Sequence, residues 1–169
     1  MGMFPPGKRS PLKAIRVMKN VMIAHGEVYH ELKKLSPNSY IGLAKNVTIF
    51  DPYRRWNLLH WLTTFALNYI WNGVIISALK RGRMYGKSVK QVKGSADFIG
   101  LNYYTHVLTS PFLPQTTEID LPARKHEIVT EFGYPMYAEG LQRATKWLEK
   151  LKLPIEITEN GVADGEDKL

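Results

Sequence analysis

Pro154-Ile155-Glu156-Ile157-Thr158-Glu159-Asn160-Gly161 joins an extended, β-branched run to a carboxylate set directly before a turn. A short run of this kind behind a proline reads as a parallel strand, and Asn160-Gly161 ends it with a dipeptide that tolerates positive φ. Glu159 therefore stands at the strand's C-terminal tip. In α/β barrels and open α/β sheets that tip faces the ligand side, so a glutamate there is placed for chemistry. Taken alone, Glu-Asn-Gly reads as the solvated end of an ordinary strand; its neighbours in the chain decide otherwise.

Working back from this stretch, residues 137–151 read as a helix, with Leu141, Ala144, Leu148 and Leu151 on one stripe and Lys150 and Lys152 at its negative end. Residues 106–133 hold Pro111, Pro114 and Pro122 with little periodicity, which predicts a long loop on the same side as Glu159. Before it, residues 96–105 form a strand-like run that ends in Tyr103-Tyr104. Residues 39–50 read as another strand, closed by Asp51-Pro52. Residues 11–35 read as one long helix, entered through Ser10-Pro11 and stopped by Ser36-Pro37-Asn38.

From residue 56 to residue 79 there is no Asp, Glu, Lys or Arg, and Arg54, Arg55, Lys80 and Arg81 flank the stretch, as they flank a membrane span. Against that reading, Asn57, His60, Thr64, Asn68 and Asn72 recur on one stripe, which predicts an amphipathic helix with an uncharged polar outer face. Helix and strand then alternate along the chain. That order predicts an α/β fold with right-handed crossovers and a parallel sheet of about three strands.

The 169 residues, 44% of them hydrophobic, are enough for one domain, 1–169. No cysteine is present, which excludes disulfides and thiolate metal sites and makes the cytoplasm the default location. The formal charge is +8, yet the basic residues are scattered and not striped with aromatics, so no nucleic-acid partner is expected. His25 and His30 are five apart, the wrong spacing for two ligands on one helix face, and no metal or cofactor is expected. Residues 1–9 lack the apolar core of a signal peptide, and no membrane partner is expected.

Asp97-Phe98-Ile99-Gly100-Leu101-Asn102-Tyr103-Tyr104-Thr105 and Ile157-Thr158-Glu159-Asn160-Gly161 resemble, almost letter for letter, two motifs of the family 1 glycoside hydrolases, β-glucosidase-type enzymes built on a TIM (β/α)8 barrel. Phe4-Pro5-Pro6-Gly7 resembles that family's loop after the fourth strand, Asn20 to Tyr29 its fourth helix, and Tyr137-Ala138-Glu139-Gly140-Leu141 its YPEGL segment. The matches run in order across the whole chain. Two stretches depart from the pattern: Glu131-Phe132-Gly133-Tyr134 stands where the family has Asp before x-Gly-Trp, and Ser77-Ala78 replaces Asp-Pro.

The resemblance implies a partial barrel and retaining hydrolysis of β-glycosides, the substrate being a β-glycoside or oligosaccharide. It implies Glu159 as the nucleophile, Tyr104 as the phenol that orients it, and Asn102 as a sugar contact; Tyr103 should point into the helical layer, without a catalytic role. The family's acid/base glutamate sits in an Asn-Glu-Pro motif, which this sequence lacks. The missing partners are therefore the other barrel segments of a parent chain, with the fragment inactive by itself. Glu27 and Glu31 belong to an outer helix, Asp97 to the opposite strand end, and Glu118, Asp120 and Glu127 to the expected loop. Two other classes stand beside this one: a noncatalytic carbohydrate-binding or scaffold protein of the same fold, and a basic membrane-surface protein.

Overall fold

Ser10 accepts a hydrogen bond from Lys13 N at 3.4 Å and Pro11 fills the first helical position, so the chain enters helix α1 (Pro11–Leu35) as the sequence requires. The computed structural model describes residues 7, 10–112 and 122–165. Phe4, Pro5 and Pro6 of the loop motif, and Pro114, Glu118 and Asp120, lie outside these residues.

After α1 come β1 (Gly42–Asn46), β2 (Ile49–Pro52), α2 (Leu58–Asn68), a π-helical turn (Tyr69–Gly73) and α3 (Val74–Arg81). A two-residue hairpin, β3 (Arg83–Met84) and β4 (Lys87–Ser88), leads to β5 (Phe98–Tyr103), β6 (His106–Thr109), α4 (Glu139–Leu148) and β7 (Ile155–Asn160). The main sheet has the order β1-β5-β7, all parallel, and the intervening helices make it α/β. Among the described residues the three strands do not close on themselves.

The core lies between this sheet and the helices. Ile99, Leu101 and Tyr103 point from β5 into it and meet Val74, Ala78 and Leu79 of α3 and Ala144 and Leu148 of α4. Gly100, Asn102 and Tyr104 take the other face by the two-residue alternation of a strand. His25 and His30 of α1 donate to the carbonyls of Ser95 (2.7 Å) and Gln91 (3.0 Å), so both serve to dock the helix. That docking is close: a Cβ at Gly26 would lie 2.4 Å from Gln91 O.

Three expectations need correction. Residues 39–50 form two strands: β1 ends at Asn46, and β2 begins at Ile49 in a second parallel pair with β6. The span 106–133 opens with β6, because Val107 and Leu108 are buried and Ile49 to Pro52 offer a parallel partner. Asp51-Pro52 thus ends a strand inside the chain's second sheet.

The third correction is the polar stripe of α2. His60, Thr64, Asn68 and Asn72 are buried, whereas Leu58, Leu62, Phe65 and Tyr69 are exposed. The reason is the edge of β2 that, among the described residues, no strand pairs. Asn68 Nδ2 donates to Phe50 O at 3.0 Å and its Oδ1 accepts from Phe50 N at 3.4 Å, so the carboxamide stands in for a neighbouring strand's peptide. Asn72 Nδ2 donates to Thr48 O at 2.8 Å, Thr64 meets the Thr109 hydroxyl at 2.7 Å, and His60 Nδ1 accepts from Arg54 N at 3.1 Å. Buried backbone groups need partners, and the stripe supplies them. The composite helix Leu58–Arg81 is, by length and composition, long and apolar enough to cross a membrane.

Candidate active site

Two irregularities in the strands bring the expected residues together. Between β5 and β7 the register steps by one residue after the Leu101–Ile157 pair, so Asn102 stands opposite Glu159 and Thr158 is the extra residue of a β-bulge. Between the two parallel pairs, Asn46 is opposite Asn102 but Ile49 is opposite His106, which leaves one extra residue on the β5–β6 side. Tyr104 falls in that irregular step, exposed between buried Tyr103 and buried Thr105. Bulges re-aim side chains at strand ends. Here they turn Thr158, Glu159 and Tyr104 over the same patch of β5.

In this patch the Tyr104 hydroxyl donates to Glu159 Oε2 at 2.5 Å. The hydrogen bond to Glu159, followed by some burial and the carboxylate's charge, pushes the Tyr104 phenol above its ordinary pKa, so it stays a protonated donor. Thr158 Oγ1 donates to Asn102 Oδ1 at 2.5 Å, and the close fit of Thr158 over β5 depends on Gly100, where a Cβ would lie 2.9 Å from Thr158 Oγ1. Asn160 Nδ2 donates to Tyr103 O at 2.7 Å. Glu159, Tyr104 and Asn102 thus share one end of adjacent parallel strands, with Glu159 open on the edge strand. Asp97, by contrast, opens β5 at the far end, bonded to Ile41 N, Tyr29 and Lys33.

Tyr103 points away, as its place in the alternation requires. Its hydroxyl donates to Tyr137 O at 2.8 Å, and a Cβ at Gly140 would lie 1.7 Å from that hydroxyl, so only glycine fits there. Burial pushes the Tyr103 phenol far above its ordinary range.

Behind these residues lies a charged network that the sequence reading did not foresee. Arg143 of α4 forms a two-pronged pair with Asp51 of β2, both contacts at 2.8 Å. Burial pushes the Asp51 carboxyl up, but hydrogen bonds from His106 and Arg143 outweigh it and hold the group well below the usual carboxylate range. His106, 1% exposed, donates from Nδ1 to Asp51 Oδ2 at 2.9 Å. Its Nε2 lies 3.1 Å from Glu127 Oε1, close enough for an ion-pair contact but off the line of an N–H hydrogen bond. Tyr137 stacks on the His106 ring at 4.3 Å. Glu127, expected in a loop, thus turns its side chain, 7% exposed, into this cluster. The local signal was Asp51 within an apolar strand, a carboxylate that has to find a cation once buried.

An open cleft of about 420 Å3 lies farther along, at the tip of β2 and β6, lined by Tyr53, Arg54, Leu108, Arg124, Lys125 and His126 and not by Glu159. Among the described residues no group of three or more His, Asp or Glu side chains is arranged to hold a metal ion.

A family model described as Glycosyl hydrolase family 1 matches residues 1–169. The β-galactosidase of Saccharolobus solfataricus is 27% identical over 179 residues, a match covering 97% of this chain and 36% of that protein. The solved β-glycosidase from Pyrococcus horikoshii has 28% identity and a TM-score of 0.78, covering 99% of this chain and 40% of that one. The β-glucosidase from Thermotoga maritima in complex with glucoimidazole aligns with a TM-score of 0.79 at 22% identity, over 96% of this chain and 40% of that one. The architecture is therefore part of a TIM barrel, and the chain spans about 40% of the length of these solved relatives.

Proposed function

Because the chain belongs to glycosyl hydrolase family 1, we propose that it carries the nucleophile side of a retaining β-glycosidase. A Glu159 oxygen attacks the anomeric carbon, the bond to the leaving oxygen breaks as that oxygen takes a proton from a second carboxyl group, and a glycosyl ester remains. Water then cleaves the ester, giving net retention. The Tyr104 phenol holds one Glu159 oxygen and leaves the other to attack, while Asn102, its carboxamide oriented by Thr158, offers a donor to the sugar.

The single observation that supports this reading is the 2.5 Å bond from Tyr104 to Glu159 at the C-terminal end of adjacent parallel strands. Retention needs a second carboxyl group about 5–5.5 Å from the first. Asp51 and Glu127 are committed to Arg143 and His106, and Asp97 lies at the wrong end of β5. We place the acid/base in barrel segments that this chain does not match, and expect no turnover from the chain alone.

The test is complementation. The chain is co-expressed with the barrel segments of the Thermotoga maritima relative that it does not match, and aryl β-glucoside hydrolysis is followed. A 2-deoxy-2-fluoro glycoside, which slows ester cleavage, should leave a mass label on the peptide containing Glu159. Turnover in the complemented enzyme that survives Glu159→Ala, or a label on another residue, refutes the reading.

A further inference from the structure

We propose that Tyr103 is the positioning residue of the Tyr104–Glu159 pair. This deepens the site reading above and rests on it for its catalytic meaning, but its geometry stands by itself. Tyr104 is 39% exposed, so packing does little to fix its ring. Its place is set by the backbone of the irregular step between β5 and β6, and that backbone is tied on both sides. On one side the Tyr103 hydroxyl is seated against Gly140 and donates to Tyr137 O. On the other, Thr105 Oγ1 donates to Pro135 O at 2.7 Å, and His106 is held by Asp51 beneath the Tyr137 ring.

Tyr103 also reaches the second member of the pair. Its carbonyl accepts from Asn160 Nδ2 at 2.7 Å, and Asn160 directly follows Glu159. One residue is thus covalently joined to the phenol and hydrogen-bonded to the carboxylate's neighbour. Its own hydroxyl is anchored in the layer behind the sheet. Tyr137 is in turn fixed by Arg143, whose Nη1 donates to the Tyr137 hydroxyl at 2.9 Å and to Asp51. A shift at the start of α4 is therefore transmitted through Tyr103 to both partners of a bond whose geometry sets where the nucleophile points. Misplacement on the scale of 1 Å is enough to cost about 10²-fold in rate at such a site.

The test reads the Tyr104–Glu159 bond itself. The chain is labelled with 3-fluorotyrosine, whose ring fluorine brings the phenol titration to milder pH, and the Tyr104 resonance is assigned by its loss in Tyr104→Phe. In the unmutated chain the hydrogen bond from Tyr104 to Glu159 should place the Tyr104 midpoint above that of an unbonded phenol, and Glu159→Gln sets the value with the charged acceptor removed. Tyr103→Phe removes a single oxygen and Asn160→Ala cuts the other link. Each should move the Tyr104 midpoint toward the Glu159→Gln value while circular dichroism shows the fold retained.

A purely structural role lowers melting temperature and leaves the Tyr104 titration where it was. If both variants stay at the unmutated midpoint, the proposal is overturned. If one of them unfolds, the other still decides. None of these readings requires turnover, so failure of the complementation experiment and failure of this inference are separate outcomes. In the complemented enzyme, Tyr103→Phe should lower kcat more than it raises KM.

Discussion

Replacing Asn68 with alanine removes the carboxamide that closes the open edge of β2. Phe50 O loses its 3.0 Å donor and Phe50 N its longer 3.4 Å acceptor, both inside the fold. A buried polar group left without a partner costs about 1–3 kcal/mol. Taking the shorter bond near the middle of that range and the longer one at its low end gives about 3 kcal/mol. Alanine's better helix propensity returns about 0.5 kcal/mol, so a net loss of about 2.5 kcal/mol is expected. For a chain of this size that lowers Tm by about 5–10 °C.

The companion variant is Phe65→Ser on the same helix. Phe65 is 66% exposed, so little of the roughly 1.5–3 kcal/mol of a fully buried apolar side chain is at stake, and the loss should stay below about 1 kcal/mol. Urea and thermal unfolding, followed by far-ultraviolet circular dichroism, measure both. The usual rule that apolar positions of a helix matter more than polar ones is reversed here. If Phe65→Ser costs more than Asn68→Ala, the inward-facing polar stripe is wrong.

Gly26→Ala should destabilise the chain by about 1–3 kcal/mol through overpacking, since the new Cβ meets a backbone carbonyl 2.4 Å away; a rise in Tm, the ordinary result for Gly→Ala inside a helix, refutes the close docking of α1. Asp97 is held down to about 2, first by the hydrogen bond from Lys33 and then by Ile41 N. A depressed carboxylate stabilises the fold above its unfolded pKa of about 3.9 and loses that contribution as pH falls through the folded value, so Asp97→Asn should flatten the stability profile between about pH 4 and pH 2. Arg143→Met leaves the Asp51 carboxylate facing only His106, and acid unfolding should then begin at higher pH than in the unmutated chain; an unchanged acid limb counts against the network. In the complemented enzyme Tyr104→Phe should lower kcat by about 10²-fold while Glu159→Ala abolishes turnover.

The sequence by itself determined the two helices α1 and α4, the strands β5 and β7, and the strand end at which Glu159 stands. Ser10-Pro11 and Ser36-Pro37 bounded α1, the runs ending at Tyr103-Tyr104 and Asn160-Gly161 gave parallel strands, and period-2 alternation put Tyr103 on the face away from Asn102. Such features depend on residues close in the chain, where propensity and periodicity carry the information. The tertiary structure decided what depends on distant partners. The spacing of His60, Thr64, Asn68 and Asn72 showed a stripe but not its direction, because that follows from the unpaired edge of β2, which exists only once residues 39–50 split and β6 pairs with the second half. Glu127 looked like a loop residue until His106, Asp51 and Arg143, far apart in the chain, met around it. The contact between Tyr104 and Glu159 was expected from resemblance, but its cause lies in two one-residue register steps. Such steps arise from how strands pair, and a single strand's sequence does not record its partner's register.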